Sequence, residues 1–265
     1  VDYDSADSIL AHNKNLKLLT RKELCNLFNW DVSKPIACIF GIDLIDGIFQ
    51  TGLKRLFQEN MTWTIDTLKE IREIKNVNWI VKDHPPRIYG SQGPKITLTN
   101  LYYKICADND HIKLLPNDIG GSSLKNAICL AVSYFGTPGL EYPCLGIPSL
   151  LASEPYYGGH GFSIEPQTKD EYFSYLKNIE KIPKLTIEQI NKAKTVIFVQ
   201  FILSKIKNPL LAEHSISILG KKGTEKFWHD SKQLIQNYNI EEDKFMRMFE
   251  NQYINNNKYL INLDI

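Results

Sequence analysis

The stretch from Ala127 to Leu151 constrains the fold of this chain more than any other. Ala127 to Val132 is a continuous apolar run with the length and composition of a fully buried strand. A small-residue turn follows, Phe135-Gly136-Thr137-Pro138-Gly139, and then a short helix that carries one acid, Glu141. Gly146-Ile147-Pro148 stops that helix, and Ser149-Leu150-Leu151 is a second apolar strand. Buried strands joined through a helix belong to a parallel sheet. A strand, a tight turn and a helix N-terminus also gather free backbone N–H groups at one spot, which suits an anion. A glutamate one turn into the helix is placed to accept hydrogen bonds from a ribose. The stretch therefore reads as a nucleotide or nucleotide-sugar site.

The same rhythm runs through the preceding residues. Pro35 to Gly41, Val77 to Val81 and Ile112 to Leu115 are short apolar runs that read as strands. Between and after them lie helical patterns. Thr20 with Glu23 is a capping box for a helix over Arg21 to Asn29. Thr62 to Ile74 places Trp63, Leu68 and Ile71 on one face. Further helices are expected over Leu101 to Cys106, Ser122 to Asn126 and Thr168 to Ile179, and from Thr186, with Gln189, to about Ile206. Alternating strands and helices predict an α/β fold, a Rossmann-like parallel sheet with helices on both faces, over residues 35–207. An N-terminal segment with a linker helix, 1–34, precedes it, and a helical tail, 208–265, follows. The strand ends at Gly41, Val81 and Val132 should then share one edge of a single crevice. The helix ending near Ile206 carries Val196, Ile197, Val199, Phe201, Ile202 and Leu203, too apolar for solvent, so it is expected to pack on the sheet. The tail, with Phe227, Trp228, Phe245, Met248 and Phe249, is expected to leave that core and pack on a partner domain or subunit.

Composition narrows the function classes. With 265 residues, 43% of them hydrophobic, the chain can bury a real core, and a net charge of +1 argues against bulk electrostatic binding of nucleic acid. Phosphate recognition, if present, has to be local. The five cysteines show no metal spacing, and three sit in apolar runs, which suggests reduced, buried thiols in a cytoplasmic protein. No apolar run approaches the roughly 20 residues that span a bilayer. The chain opens at Val1 with an acidic, polar stretch, from which no signal peptide is expected and upstream residues are expected to be absent.

Candidate chemistry lies at the ends of the strands. Lys82-Asp83-His84-Pro85 follows the second strand, and open parallel sheets bind ligands at such carboxyl ends. Lys82 and His84 there can neutralise a diphosphate; the competing reading is a basic surface loop. Gly136, Thr137 and Gly139 form the anion turn and Glu141 the ribose acceptor, against the competing reading of a Gly/Pro turn with a solvated acid. Asp43 and Asp46 follow the first strand. Either suits a general base or a sugar-hydroxyl ligand, and equally a turn aspartate bonding its own backbone. Tyr156, Tyr157 and His160, spaced by Gly158, Gly159 and Gly161, read as a lid over a base or sugar, or as an aromatic surface loop. Neither GxGxxG nor GxxxxGK[ST] occurs, which disfavours a dehydrogenase and a P-loop enzyme.

Taken together, Pro35-Ile36-Ala37-Cys38-Ile39-Phe40-Gly41 with Asp46, Trp63, Trp79-Ile80-Val81-Lys82-Asp83-His84-Pro85, Gly136-Thr137-Pro138-Gly139-Leu140-Glu141-Tyr142-Pro143, Gly146-Ile147-Pro148 and Tyr157-Gly158-Gly159-His160-Gly161-Phe162 resemble the bacterial capsular polysaccharide biosynthesis glycosyltransferases. These are GT-B enzymes with two facing Rossmann-like domains. The resemblance covers about Thr20 to Ile206 and implies the C-terminal, donor-binding half, with the N-terminal acceptor half outside this chain. It implies His84 facing the donor phosphate, Gly136 and Thr137 binding it, and Glu141 holding the ribose. The family pattern there is Lys-Pro-His-Pro or similar, and Asp83 departs from it by placing an acid beside the phosphate site. The partners implied are a nucleotide sugar and a glycan or glycolipid acceptor. No cofactor and no metal are expected, and the full-length enzyme would associate peripherally with the inner face of the inner membrane. Alternatives are a teichoic-acid-type polyol-phosphate transferase, a non-hydrolysing nucleotide-sugar epimerase, or a non-catalytic nucleotide-sugar-binding or scaffold module of capsule assembly.

Overall fold

A computed structural model describes residues 16–42, 44, 54–84, 96–203, 210 and 220–256, with 220–223 described for the backbone alone. The chain divides into two units. One holds Ala11–Pro86 and Gly90–Lys194, the other Val1–Leu10, Arg87–Tyr89 and Thr195–Ile265.

The first unit is an α/β, Rossmann-like domain. Its strands are β1 Ile36–Phe40, β2 Asn78–Lys82, β3 Ile112–Leu114, β4 Leu130–Ser133 and β5 Ser149–Leu151. They form one sheet in the order β3-β2-β1-β4-β5, and every pairing is parallel. Helices α1 Arg21–Phe28, α2 Asn60–Arg72, α3 Leu98–Ile105, α4 Pro138–Cys144 and α5 Lys169–Lys177 surround it, with α6 Ile187–Phe198 after them. All five residues of β1 are buried, because the central strand has helices on both sides.

Strand alternation sorts the core into two layers. Ala37, Ile39, Trp79, Val81, Leu130 and Val132 share one cluster with Trp63, Leu68 and Ile71 of α2, Leu98 and Leu101 of α3, and Tyr172 and Leu176 of α5. Ile36, Cys38, Phe40, Ile80 and Ala131 share the other with Leu24 and Cys25 of α1, Leu124, and Tyr142 of α4. In the first layer the Tyr172 hydroxyl accepts from the Trp63 indole N–H at 2.8 Å and lies 3.1 Å from the Thr67 hydroxyl. Two helices, α2 and α5, are thereby tied by one satisfied buried polar group.

Local signals account for the helix starts. The Thr20–Glu23 capping box is made in both directions. Thr97 and Asn100 make a second one, which starts α3 at Leu98, three residues earlier than expected. Thr168 caps α5. Thr186 and Gln189 bond reciprocally ahead of α6. All five cysteines are free thiols, with Cys25, Cys38 and Cys106 buried.

The expected packing of the last helix on the sheet is not what the structure shows. Of α6, Ala193 alone is buried. Gln189 donates to the Gly161 carbonyl at 2.8 Å, and a Cβ on Gly146 would sit 3.3 Å from Ile190, so this helix lies over two loops. Phe198 and Val199 are 45% and 44% exposed, and the apolar stretch from Thr195 onward belongs to the second unit and includes a π-turn, Val199–Leu203. That unit also contains α7 Gly220–Gln236 and α8 Lys244–Ile254. Phe227 is buried, whereas Trp228 is 56% exposed. Among the described residues no helix is long and apolar enough to cross a membrane.

Candidate functional site

The chain lays β2 and β3 on one side of β1, then returns to lay β4 and β5 on the other. That reversal opens a crevice at the carboxyl ends of β1 and β4, the place where sheets of this kind hold ligands. Parallel pairing sets Phe40 beside both Lys82 and Ser133, so the exits of β1, β2 and β4 stand on one edge, as the sequence implied.

At the exit of β1, Gly41 donates to the Lys82 carbonyl at 2.8 Å. A Cβ there would lie 2.5 Å from Leu98 and 3.3 Å from the His84 nitrogen, so only glycine lets the β2 exit pass this closely. Lys82 ends β2 on the face of Ile80. Its Cε approaches Gly121, where an added Cβ would sit 3.3 Å away. The Tyr142 hydroxyl of α4 donates to the Gly121 carbonyl at 3.4 Å, and its ring lies 4.8 Å from that of Phe40. Lys82 and Tyr142 of α4 thus both approach Gly121, in the segment after β3. Burial pushes the Cys38 thiol up, and the Lys82 charge pulls against it. Lys82 is half-buried, and among the described residues no carboxylate pairs with it. A partly buried charge that has no counter-ion among the described residues favours an incoming anion.

Asp83 does not supply that counter-ion. One residue further along the strand, it faces the opposite layer. There one carboxylate oxygen accepts from the His84 N–H at 2.8 Å, and the other from the Thr99 N–H at 2.9 Å and the Thr99 hydroxyl at 2.5 Å. His84 itself is half-buried beside Gly41.

The turn after β4 is held from beneath. Gly136 donates to the Ser133 hydroxyl at 3.1 Å, the Tyr157 hydroxyl donates to the Gly136 carbonyl at 2.6 Å, and the Ser149 hydroxyl donates to the Gly139 carbonyl at 2.9 Å. Gly139 N–H returns to Gly136, while Leu140 and Glu141 N–H return to Thr137. Pro138 has no N–H. The Thr137 N–H is left without an acceptor among the described residues, and its exposed side chain makes no capping bond. Since α4 has seven residues, with Pro143 among them, its dipole is a small contribution, and the turn itself offers the donor. Glu141 is exposed in the first turn of α4.

Tyr157 occupies a different place from the lid suggested by its sequence setting. It is fully buried under the turn, where desolvation raises its phenol well above the ordinary range and keeps it a neutral donor. It positions Gly136 rather than covering a ligand. His160 is exposed and stacks on Phe162 at 6.1 Å. Its loop is tethered: Gly159 donates to the Glu165 carboxylate at 3.1 Å, and Gly161 accepts from Gln189. Asp43 and Asp46 lie outside the described residues. Lys82, His84, Gly136, Thr137, Gly139 and Glu141 are brought to one edge. Thr99, Ser133, Tyr142 and Ser149 were missed from the sequence, and only Ser133, two residues after the buried Ala131 on the same strand face, left a readable signal.

No family model and no curated protein matches the chain. Among solved structures it is similar to the S. aureus MnaA–UDP co-structure, at 11% identity and TM-score 0.39 over 64% of this chain and 42% of that one. It is similar to Thermosulfurimonas dismutans KpsC, beta Kdo 2,4 transferase, at 13% and 0.39 over 67% and 47% of the two chains. A third is the sucrose-phosphate synthase of Thermosynechococcus elongatus, at 11% and 0.40 over 69% and 46%. The chain spans about half the length of these structures. Likenesses at this level carry neither a family nor an activity, and the fold class rests on the sheet itself.

Proposed function

We propose that this chain is the donor-binding half of a glycosyltransferase that moves a sugar from a nucleotide-activated donor to a capsular or other surface glycan. The observation that carries the reading is the half-buried Lys82 beside the switch point of the sheet, on the edge that also carries the Thr137 N–H, each without a partner among the described residues. In the transfer, the bond from the sugar's anomeric carbon to the phosphate oxygen breaks, and an acceptor hydroxyl forms the new bond. Negative charge then gathers on the departing nucleotide. Lys82, His84 and the Thr137 N–H stabilise that charge, which is a purely electrostatic contribution to catalysis. Glu141 holds the ribose. Asp46 is the proposed base that takes the acceptor proton, and His160 borders the sugar.

The test is calorimetric titration with UDP, CDP, CMP and GDP and with the bare nucleosides, on wild type and Glu141→Gln. Loss of the ribose acceptor's charge should weaken nucleotide binding by about 1.5–3 kcal/mol with the fold intact. Failure of every nucleotide to bind wild type overturns the proposal. Interconversion of a nucleotide sugar without an acceptor would instead identify an epimerase.

A further inference from the structure

Asp83 is an acid that follows Lys82 at the phosphate edge, and its carboxylate is engaged elsewhere. Its three hydrogen bonds come from two residues far apart in sequence: His84, the next residue, and Thr99, in the first turn of α3. The Thr99 contacts span 16 positions in sequence and bring together the exit of β2 and the start of α3. A carboxylate suits that place, because the first turn of a helix presents unpaired N–H groups and positive charge. The clamp has two effects on the crevice. It fixes the peptide between Lys82 and His84 by using the His84 N–H, and it keeps a negative charge on the layer opposite Lys82.

We infer that Asp83 is a positioning residue: through Thr99 it holds Lys82 and His84 toward a phosphate-bearing ligand. The inference rests on the nucleotide-sugar reading above. A binding group displaced by a fraction of an ångström loses much of its effect, so release of the clamp should weaken phosphate binding by about tenfold. A nucleoside without phosphate should bind as before.

The experiment titrates inorganic pyrophosphate, the best-bound nucleoside diphosphate and its nucleoside into wild type, Asp83→Asn, Thr99→Val and Thr99→Ser. Thermal unfolding of each protein is followed in parallel. Thr99→Val keeps shape and the backbone N–H but removes the hydroxyl, while Thr99→Ser restores it. The expected result is weaker binding of both phosphate ligands to Asp83→Asn and Thr99→Val, recovery in Thr99→Ser, and nucleoside affinity unchanged throughout. Equal phosphate affinity in wild type and Thr99→Val overturns the inference even if Asp83→Asn fails to fold. Loss of nucleoside and phosphate binding in parallel with lost stability overturns it too, since that is a merely structural role. If wild type binds no nucleotide, the functional reading falls, and the inference with it.

Discussion

Replacing Gly139 by alanine tests the construction of the anion turn. The new methyl would lie 2.1 Å from the Tyr157 hydroxyl and 2.5 Å from Leu151 Cδ2, and both neighbours are buried, at 0% and 1% exposure. Neither can swing into solvent, so the strain falls on the turn or on β5. Overpacking of this kind costs about 1–3 kcal/mol, and the better helix propensity of alanine offsets at most about 1 kcal/mol. A net loss of about 2 kcal/mol is expected, at the upper end because the closest contact is so short. Tyr157→Phe should cost about 1 kcal/mol, because the Gly136 carbonyl keeps its bond from Gly139. In the double variant the methyl occupies the space of the missing hydroxyl. The losses should then fall short of their sum by about 1 kcal/mol. Urea unfolding of the four proteins measures the cycle. Additivity within about 0.5 kcal/mol, or a neutral Gly139→Ala, would refute the idea that Tyr157 supports the turn from below.

Tyr172→Phe should destabilise the domain by about 1–3 kcal/mol, because it strands the buried Trp63 N–H, yet leave phosphate affinity untouched. Denaturation and titration of the same sample decide it. Stability should also fall in acid. Hydrogen bonds from the Thr20 backbone and hydroxyl lower the Glu23 carboxyl, those from Ser33 lower Asp31, and that from Lys17 lowers Asp118. A depressed folded pKa means that the unfolded chain binds more protons. The contribution is therefore present above the ordinary carboxylate range near pH 4 and is lost as pH falls through the folded values. Equal urea midpoints at neutral pH and well below that range would sink this assignment.

The sheet was legible because its strands are short, largely apolar runs, with β1 closed by Gly41 and β2 by the charged pair Lys82-Asp83, and such runs fit a sheet covered on both faces. The start of β4 was not. Ala127 and Ile128 are buried and apolar, but they complete the 3₁₀ turn Gly121–Asn126, and pairing with β1 begins later. The start of α3 was missed because its capping box uses Asn100 in place of the usual Glu or Gln. At the site, Lys82, Thr137 and Glu141 could be read from position alone. What Asp83 does could be read only halfway: alternation turns it from Lys82, but its partner Thr99 lies 16 positions further along the sequence. The burial of Tyr157 depends on the absence of a side chain at Gly139, which is a fact of packing and not of local sequence. The helix over α6 misled for a related reason. Its apolar stretch promised a buried face, but Phe198 and Val199 stay exposed and Ala193 alone of α6 is buried.

The most direct measurement is a crystal structure with the tightest-binding nucleotide. We predict its terminal phosphate within about 3 Å of both the Lys82 ammonium and the Thr137 N–H, with the ribose against Glu141. Lys82→Met should abolish that density at the same soak concentration, since a charged hydrogen bond of about 1.5–3 kcal/mol is removed. A nucleotide bound away from the carboxyl ends of β1 and β4, or bound unchanged in Lys82→Met, would contradict the assignment of this crevice.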